Sequence, residues 1–306
     1  MQSAVKEQEK TSSDFTSEEI AAFWEENPCG GDFVEFKGEF RNFFLEYDAF
    51  RFAQLPYIID LLDRIEVRGK EVLEIGTGQG ADAQQIIERG GIYTGVDLTE
   101  ESISRLRTRF DLFKLPYKEL RVENAEHLSL PDESFDIVYS NGVLLTSPRI
   151  EQIVGHIHRV LKPGGQAVIM LYYKNSVNYQ LSIRFIRRLG IFALFFPFVD
   201  RLVSVLTGEP IERLNKHRRN LRVQGLSYLK MKNFIHKATD GPDNAYSSVW
   251  TKSECDQLFA GFEEIRYETW FINERHFPVL RNLIPRNLIR KIESRWGWNL
   301  LIFARK

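Results

Sequence analysis

The chain has 306 residues, 43% hydrophobic and 27% charged, with a formal net charge of -1. Such a composition belongs to a soluble globular protein, either one large domain or a core domain with an insertion, and gives no global electrostatic reason to expect a nucleic-acid partner. The two cysteines, Cys29 and Cys255, show no CxxC or Cys/His spacing, so neither a disulfide framework nor a zinc site is indicated and a reducing, cytoplasmic setting fits.

Residues 1–18 are polar and lack the apolar run of a secretory signal, so they read as a flexible tail; 19–68 read as an N-terminal helical cap. From Lys70, short apolar runs alternate with helical stretches, the mark of βαβ units in an α/β core over 69–173. Val72 to Ile75 is the first expected strand, Ala81 to Arg89 its helix, Tyr93 to Val96 the second strand and Glu100 to Phe113 the second helix. Tyr117 to Val122 and Asp136 to Ser140 follow as strands. A helix from Ile150 to Leu161 is stopped by Lys162, Pro163, Gly164 and Gly165, and Gln166 to Tyr172 is the fifth strand.

Residues 174–250 read as an inserted helical lid, and 251–306 return to the core with a capped helix, Thr251 to Phe259, and strands Phe262 to Trp270 and Asn299 to Ala304. The expected sheet is mostly parallel, with about seven strands. Within the insert, Leu189 to Val199 is well short of the roughly 20 apolar residues of a spanning helix and carries Pro197, so it reads as lid core. The basic stretch from Arg213 to Lys232 reads as a solvated face. A sharper alternative is an apolar lid with a basic rim that receives an amphiphilic anionic substrate or makes peripheral contact with a membrane surface.

Glu74, Gly76, Thr77, Gly78 and Gly80 end the first strand in a glycine turn where a ligand can approach the backbone, with free N–H groups on the following helix. Asp97 ends the second strand with two acceptor oxygens suited to a ribose. The turn also satisfies the dinucleotide pattern GxGxxA, so an NAD(P)-dependent oxidoreductase is the rival class, against which stands the lack of a Tyr-x-x-x-Lys pattern after the fourth strand. A non-catalytic scaffold keeping the cofactor fold is a third. Glu74 two residues before the first glycine, Asp136 opening a fourth strand after Leu130 to Phe135, and the stop from Leu161 to Gly165 favour a methyl donor over a dinucleotide.

On these residues, Val72 to Tyr172 resembles the class I S-adenosylmethionine-dependent methyltransferases, especially the bacterial group acting on small molecules and natural products. The resemblance implies a Rossmann-like fold and S-adenosylmethionine as cofactor. Glu74 and the turn Gly76 to Gly80 would face its methionine part, Asp97 its ribose, Leu98, Asn124 and Ala125 its adenine, and Ser140 and Asn141 its methionine side. The family usually has aspartate at Asn124, and often histidines within the stretch Val143 to Thr146. Phe23 to Cys29 and Phe44 to Arg51 look like the family's N-terminal cap, and Asp240 to Asn244 like its late active-site loop.

Methyl transfer needs nucleophile and methyl carbon held in line, and a base only where a proton must leave. Tyr172, Tyr173 and Asp240 are the candidates for that proton, the tyrosines because they end a strand on the carboxyl edge where ligands of open α/β sheets bind. Trp24, Tyr47, Arg51, Asn244 and Trp250 are the acceptor-binding candidates, the aromatic ones able to stabilise a passing carbocation. Asp240, Asp243 and Asn244 are metal-ligand types, but Gly241 and Pro242 between them suit an Asx-type turn, so a substrate-facing loop without metal is expected. His156 and His158 are two apart on a helix, face different ways, and read as structural.

Overall fold

The computed structural model describes residues 15–28, 34–272, 277 and 285–306. Most of the expected N-terminal tail, and Cys29, lie outside the described residues. Ser17 and Glu18, placed in the tail by the sequence reading, belong instead to α1 (Ser17–Glu26), whose N-cap Thr16 makes a reciprocal capping box with Glu19. The N-terminal region continues with α2 (Phe40–Gln54) and α3 (Tyr57–Arg64).

The core then runs β1 (Glu71–Ile75), α4 (Ala81–Glu88), β2 (Ile92–Asp97), α5 (Glu100–Phe113), β3 (Glu119–Val122), β4 (Phe135–Asn141), α6 (Ile150–Val160) and β5 (Leu161–Tyr172). The stop after α6 is not a loop before β5. Its glycines form an irregular start of β5 itself, where pairing jumps from Phe135–Leu161 to Ile137–Gln166.

The insert holds the π-helical stretch Asn178–Arg187, α7 (Arg188–Ala193), α8 (Asp200–Thr207), α9 (Ile211–Gln224) and α10 (Met231–Thr239). α11 (Lys252–Leu258), β6 (Glu264–Trp270), α12 (Arg286–Trp296) and β7 (Asn299–Arg305) complete the chain. α12 had no counterpart among the sequence expectations.

The seven strands lie in the order β3-β2-β1-β4-β5-β7-β6. The first five are parallel, and β7 is antiparallel to both β5 and β6, so the sheet is mixed. Strand alternation sends Leu73 and Ile75 to the face covered by α6 and α11, and Val72 to the face covered by α3, α4 and α5. The insert has its own core, where Ile183, Ile191, Leu194, Val203, Tyr228 and Phe234 meet Trp298.

Candidate functional site

Strand order reverses at β1, whose neighbours are β2 and β4, and a crevice at the carboxyl ends of these strands is where open α/β sheets bind ligands. A cavity of about 160 Å³ sits there. The turn after β1, the end of β2, residues 123–126 and the end of β4 form its floor and sides, while α1 and α2 contribute Ile20, Trp24, Tyr47 and Arg51.

Gly76, Gly78 and Gly80 all have positive φ, +81°, +50° and +76°. At Gly76 a Cβ would lie 2.2 Å from Val143 Cγ2, so the turn packs against the segment after β4 and no larger residue fits. Asp97 locks the turn: its Oδ2 accepts from the backbone N–H of Thr77 at 2.8 Å and of Gly78 at 3.3 Å, while Oδ1 accepts from the Thr99 N–H and hydroxyl at 3.0 and 2.9 Å. It is therefore a brace for the backbone as well as an acceptor on the cavity wall.

Glu74 is buried and accepts a 2.5 Å hydrogen bond from the Tyr93 hydroxyl. Burial, then the charge of nearby Asp82, pushes its carboxyl well above the ordinary glutamate range. Asp82, in the first turn of α4, receives Arg51 Nε and Nη2 at 2.7 Å each, the Tyr139 hydroxyl at 2.8 Å and Asn141 Nδ2 at 3.2 Å. Burial acts to raise Asp82 too, but the Arg51 guanidinium outweighs it and holds this carboxyl below its usual value. Behind them Asn299 donates to the Tyr57 hydroxyl at 2.8 Å, which tethers β7 to α3.

At the opposite end, Asn124, assigned from sequence to adenine, uses its Oδ1 to accept from the Glu126 N–H at 2.9 Å and so caps the turn Ala125–His127. Glu126 is buried and accepts from Ser147 Oγ at 2.6 Å, Arg149 Nη1 at 2.8 Å and Ser17 Oγ at 3.0 Å, which pins the start of α1 over the cavity. Glu123 Oε2 is buried without a hydrogen-bond partner, with Arg121 Nη1 3.9 Å away. Among the described lining residues the ionisable groups are five acidic side chains, Glu74, Asp82, Asp97, Glu123 and Glu126, against one guanidinium, Arg51; Arg51 is taken by Asp82, Arg149 pairs with Glu126, and burial favours the neutral form of Glu74.

Thirteen of the sequence candidates meet on this wall: Glu74, Gly76, Thr77, Gly78, Gly80, Asp97, Leu98, Asn124, Ala125, Asn141, Trp24, Tyr47 and Arg51. Ser140 does not; it is buried and donates to the Ile75 carbonyl at 2.7 Å, tying β4 to β1. No described residue of 174–250 lines the cavity. Tyr172 donates to Asp240 Oδ1 at 2.8 Å, Ser247 donates to Asp240 Oδ2 at 2.6 Å, and buried Asn244 donates to Ser247 Oγ at 2.7 Å. This network ties the insert to the sheet. Tyr173 is buried with its N–H on the Trp298 carbonyl at 2.8 Å, and Trp250 donates to Ser248 Oγ at 2.9 Å. Asp243, expected to face substrate, pairs with Lys216 at 3.3 Å and Arg219 at 3.2 Å. His158 stacks edge-on to Phe262, a packing contact.

Asp82, Ser17 and Ile20 are on the wall without having been singled out from sequence, and Val143 and Thr146, noted there only as bounding a stretch where the family often has histidines, line it too. An acidic residue in a first helical turn is ordinary complementation of the helix dipole, so Asp82 carried no separate signal until Arg51 was seen to reach it.

Residues 73–169 match a family model described as a methyltransferase domain. The chain is 34% identical over 110 residues to phosphatidylethanolamine N-methyltransferase of Cereibacter sphaeroides, covering 36% of this chain and 54% of that protein. It is 36% identical over 104 residues to arsenite methyltransferase of Halobacterium salinarum, covering 33% of this chain and 27% of that one. It thus spans about half and about a quarter of the lengths of these relatives. A chain of the complex between the Haloferax volcanii Trm112 methyltransferase activator and a methyltransferase has the same fold, at a TM-score of 0.50 and 16% identity, over 83% of this chain and 88% of that one.

Proposed function

Because residues 73–169 form a class I S-adenosylmethionine-dependent methyltransferase domain, we propose that the chain methylates a small amphiphilic acceptor held under α1 and α2. The carrying observation is the charge of the cavity. A dinucleotide would bring two negative phosphates to an acidic wall whose one cation among the described lining residues, Arg51, is already paired with Asp82, whereas S-adenosylmethionine brings a sulfonium and an ammonium. Its fit is supported by the buried, unsatisfied Oε2 of Glu123 on the cavity wall.

In this reading Glu74 and the turn Gly76 to Gly80 hold the methionine part, with Asn141 beside them. Asp97 would accept from a ribose hydroxyl at the position the Thr99 hydroxyl now fills, and Leu98, Asn124 and Ala125 would meet adenine. Bound there, the cofactor would supply an electrophilic methyl group, transferable to the acceptor with the C–S bonding pair left on sulfur. The chain's part is to align the acceptor and keep water out. Ile20, Trp24 and Tyr47 give an apolar wall suited to an amphiphile, with the Arg51–Asp82 ion pair beside them. Tyr172 and Asp240 are assigned to holding the insert rather than to proton transfer.

The test is methyl transfer from labelled S-adenosylmethionine to a panel of phosphatidylethanolamine, a long-chain fatty acid, a prenylated phenol and water-soluble amines. Product from an amphiphile supports the reading. Product from water-soluble acceptors alone contradicts the acceptor class, and no binding of S-adenosylmethionine contradicts the reading altogether.

A further inference from the structure

The run Leu189 to Val199, expected to be lid core, is mostly surface. Ile191 and Leu194 of the α7 region and Val203 of α8 point into the core of the insert, but Leu189, Phe196, Leu202 and Val205 are 64%, 59%, 60% and 63% exposed. Leu189 and Phe192 of α7, Phe185 near the end of the π-helical stretch before it and Phe196 in the turn after it are all exposed, an outward apolar surface along this segment. Leu202, Val205 and Leu206 form the matching surface on α8. The two helices lie close together, since a Cβ at Gly190 would come within 2.7 Å of Thr207 Cγ2. Their outward surfaces therefore adjoin, in an apolar face of a kind that soluble monomers rarely leave open.

Phe198, in the turn between α7 and α8, adds an independent observation. Its φ is +64°, in the left-handed region that a bulky side chain enters only at a cost, and its ring is 97% exposed. A ring presented this way is open to an apolar phase outside the protein.

The charges around the face are one-sided. Between Asn178 and Gly208 there are four arginines and one carboxylate. The carboxylate, Asp200, is ion-paired with Arg218, and Arg187 is buried against Glu209. Arg184 and Arg201 are exposed and Arg188 half-buried at the margin of this surface, so the face presents positive charge only. A second copy docking face to face would set these arginines against one another, which argues against a symmetric dimer. No described helix is long and apolar enough to cross a membrane.

We propose that this face of α7 and α8, led by Phe196 and Phe198 and rimmed by Arg184, Arg188 and Arg201, docks on the surface of an anionic lipid bilayer. The aromatic rings enter the boundary between head groups and acyl chains, and the arginines bind lipid phosphates from above. The proposal is independent of which acceptor is methylated.

The experiment is co-sedimentation of the full chain with vesicles of phosphatidylcholine alone and of phosphatidylcholine with phosphatidylglycerol. The expected result is binding to the mixed vesicles, weakened by salt, with a loss of at least about tenfold in both F196S/F198S and R184Q/R188Q/R201Q. Unchanged cofactor binding by calorimetry shows each variant to be folded. Wild-type protein that ignores phosphatidylglycerol, or F196S/F198S that binds as well as wild type, overturns the proposal. So does lipid-free self-association in sedimentation velocity that F196S/F198S abolishes, which would assign the face to a second copy.

Discussion

Arg51 on α2 and Asp82 on α4 meet through two parallel hydrogen bonds of 2.7 Å, a two-pronged pair whose carboxylate side chain is 3% exposed and whose guanidinium is 17% exposed. This pair fastens the N-terminal helices to the cofactor core at the cavity wall. Removing one partner of a buried ion pair strands the other charge, which costs about 3 to 5 kcal/mol. Arg51→Ala is therefore expected to lower unfolding stability by that order and to weaken cofactor binding. Arg51→Lys should recover little, because an ammonium cannot make the fork. Denaturant unfolding and calorimetry check both; an Arg51→Lys protein as stable as wild type would show that charge alone suffices.

Gly76→Ala is expected to keep the sheet and lose the cofactor. The added methyl meets Val143 at 2.2 Å and the position has φ +81°, so both space and backbone oppose it. Adding Val143→Ala should ease the collision, leaving the Val143 Cβ at 2.7 Å, and not touch the backbone strain, restoring only part of the affinity. Full restoration by the double change would make the contact with Val143 the whole cause.

Asp97→Ala is expected to reduce cofactor affinity and also thermal stability, since the Thr77 and Gly78 N–H groups lose their acceptor. Asp97→Asn, which keeps one acceptor oxygen, should fall between. Calorimetry with thermal unfolding checks this. An unchanged melting temperature in Asp97→Ala would leave the ribose as this residue's sole concern.

The cofactor half of the fold was legible in the sequence because its signals are local. Glu100 to Phe113 is helical at the expected ends, and the capped helix expected at Thr251 is α11, with Thr251 as its cap. The turn, Asp97 and Asn124 fall on one cavity for the same reason: each is fixed by its position relative to a strand end. Pairings distant in sequence were not legible. Arg51 and Asp82 are 31 residues apart and Tyr172 and Asp240 are 68 apart, and nothing in their local patterns announces either contact. The apolar run in the insert misled for a different reason. Hydrophobicity marks a side chain for removal from water, but the sequence alone cannot say whether the protein's own core receives it.

The insert should respond to mild acid. Burial, with Arg187 and Arg213 nearby, lowers the His217 imidazole to about 3, and burial lowers His236 to about 4. In the unfolded chain both take a proton near 6.5, so below that pH protons favour unfolding and stability falls as pH drops toward these values, by up to about 1.4 kcal/mol per pH unit for each histidine. Glu74, raised by burial, works in the opposite sense, so variants are compared with wild type. His217→Gln should gain melting temperature relative to wild type between pH 7 and pH 5. A difference that does not move with pH would count against a neutral buried His217.

The central claim is that the acidic cavity at the end of β1 takes a cationic methyl donor rather than a dinucleotide. Titration calorimetry of the full chain with S-adenosylmethionine and, separately, with NADH tests it most directly. The expected result is one site for S-adenosylmethionine, weakened in Asp97→Ala, and no heat with NADH. Binding of NADH with none of S-adenosylmethionine would contradict the account.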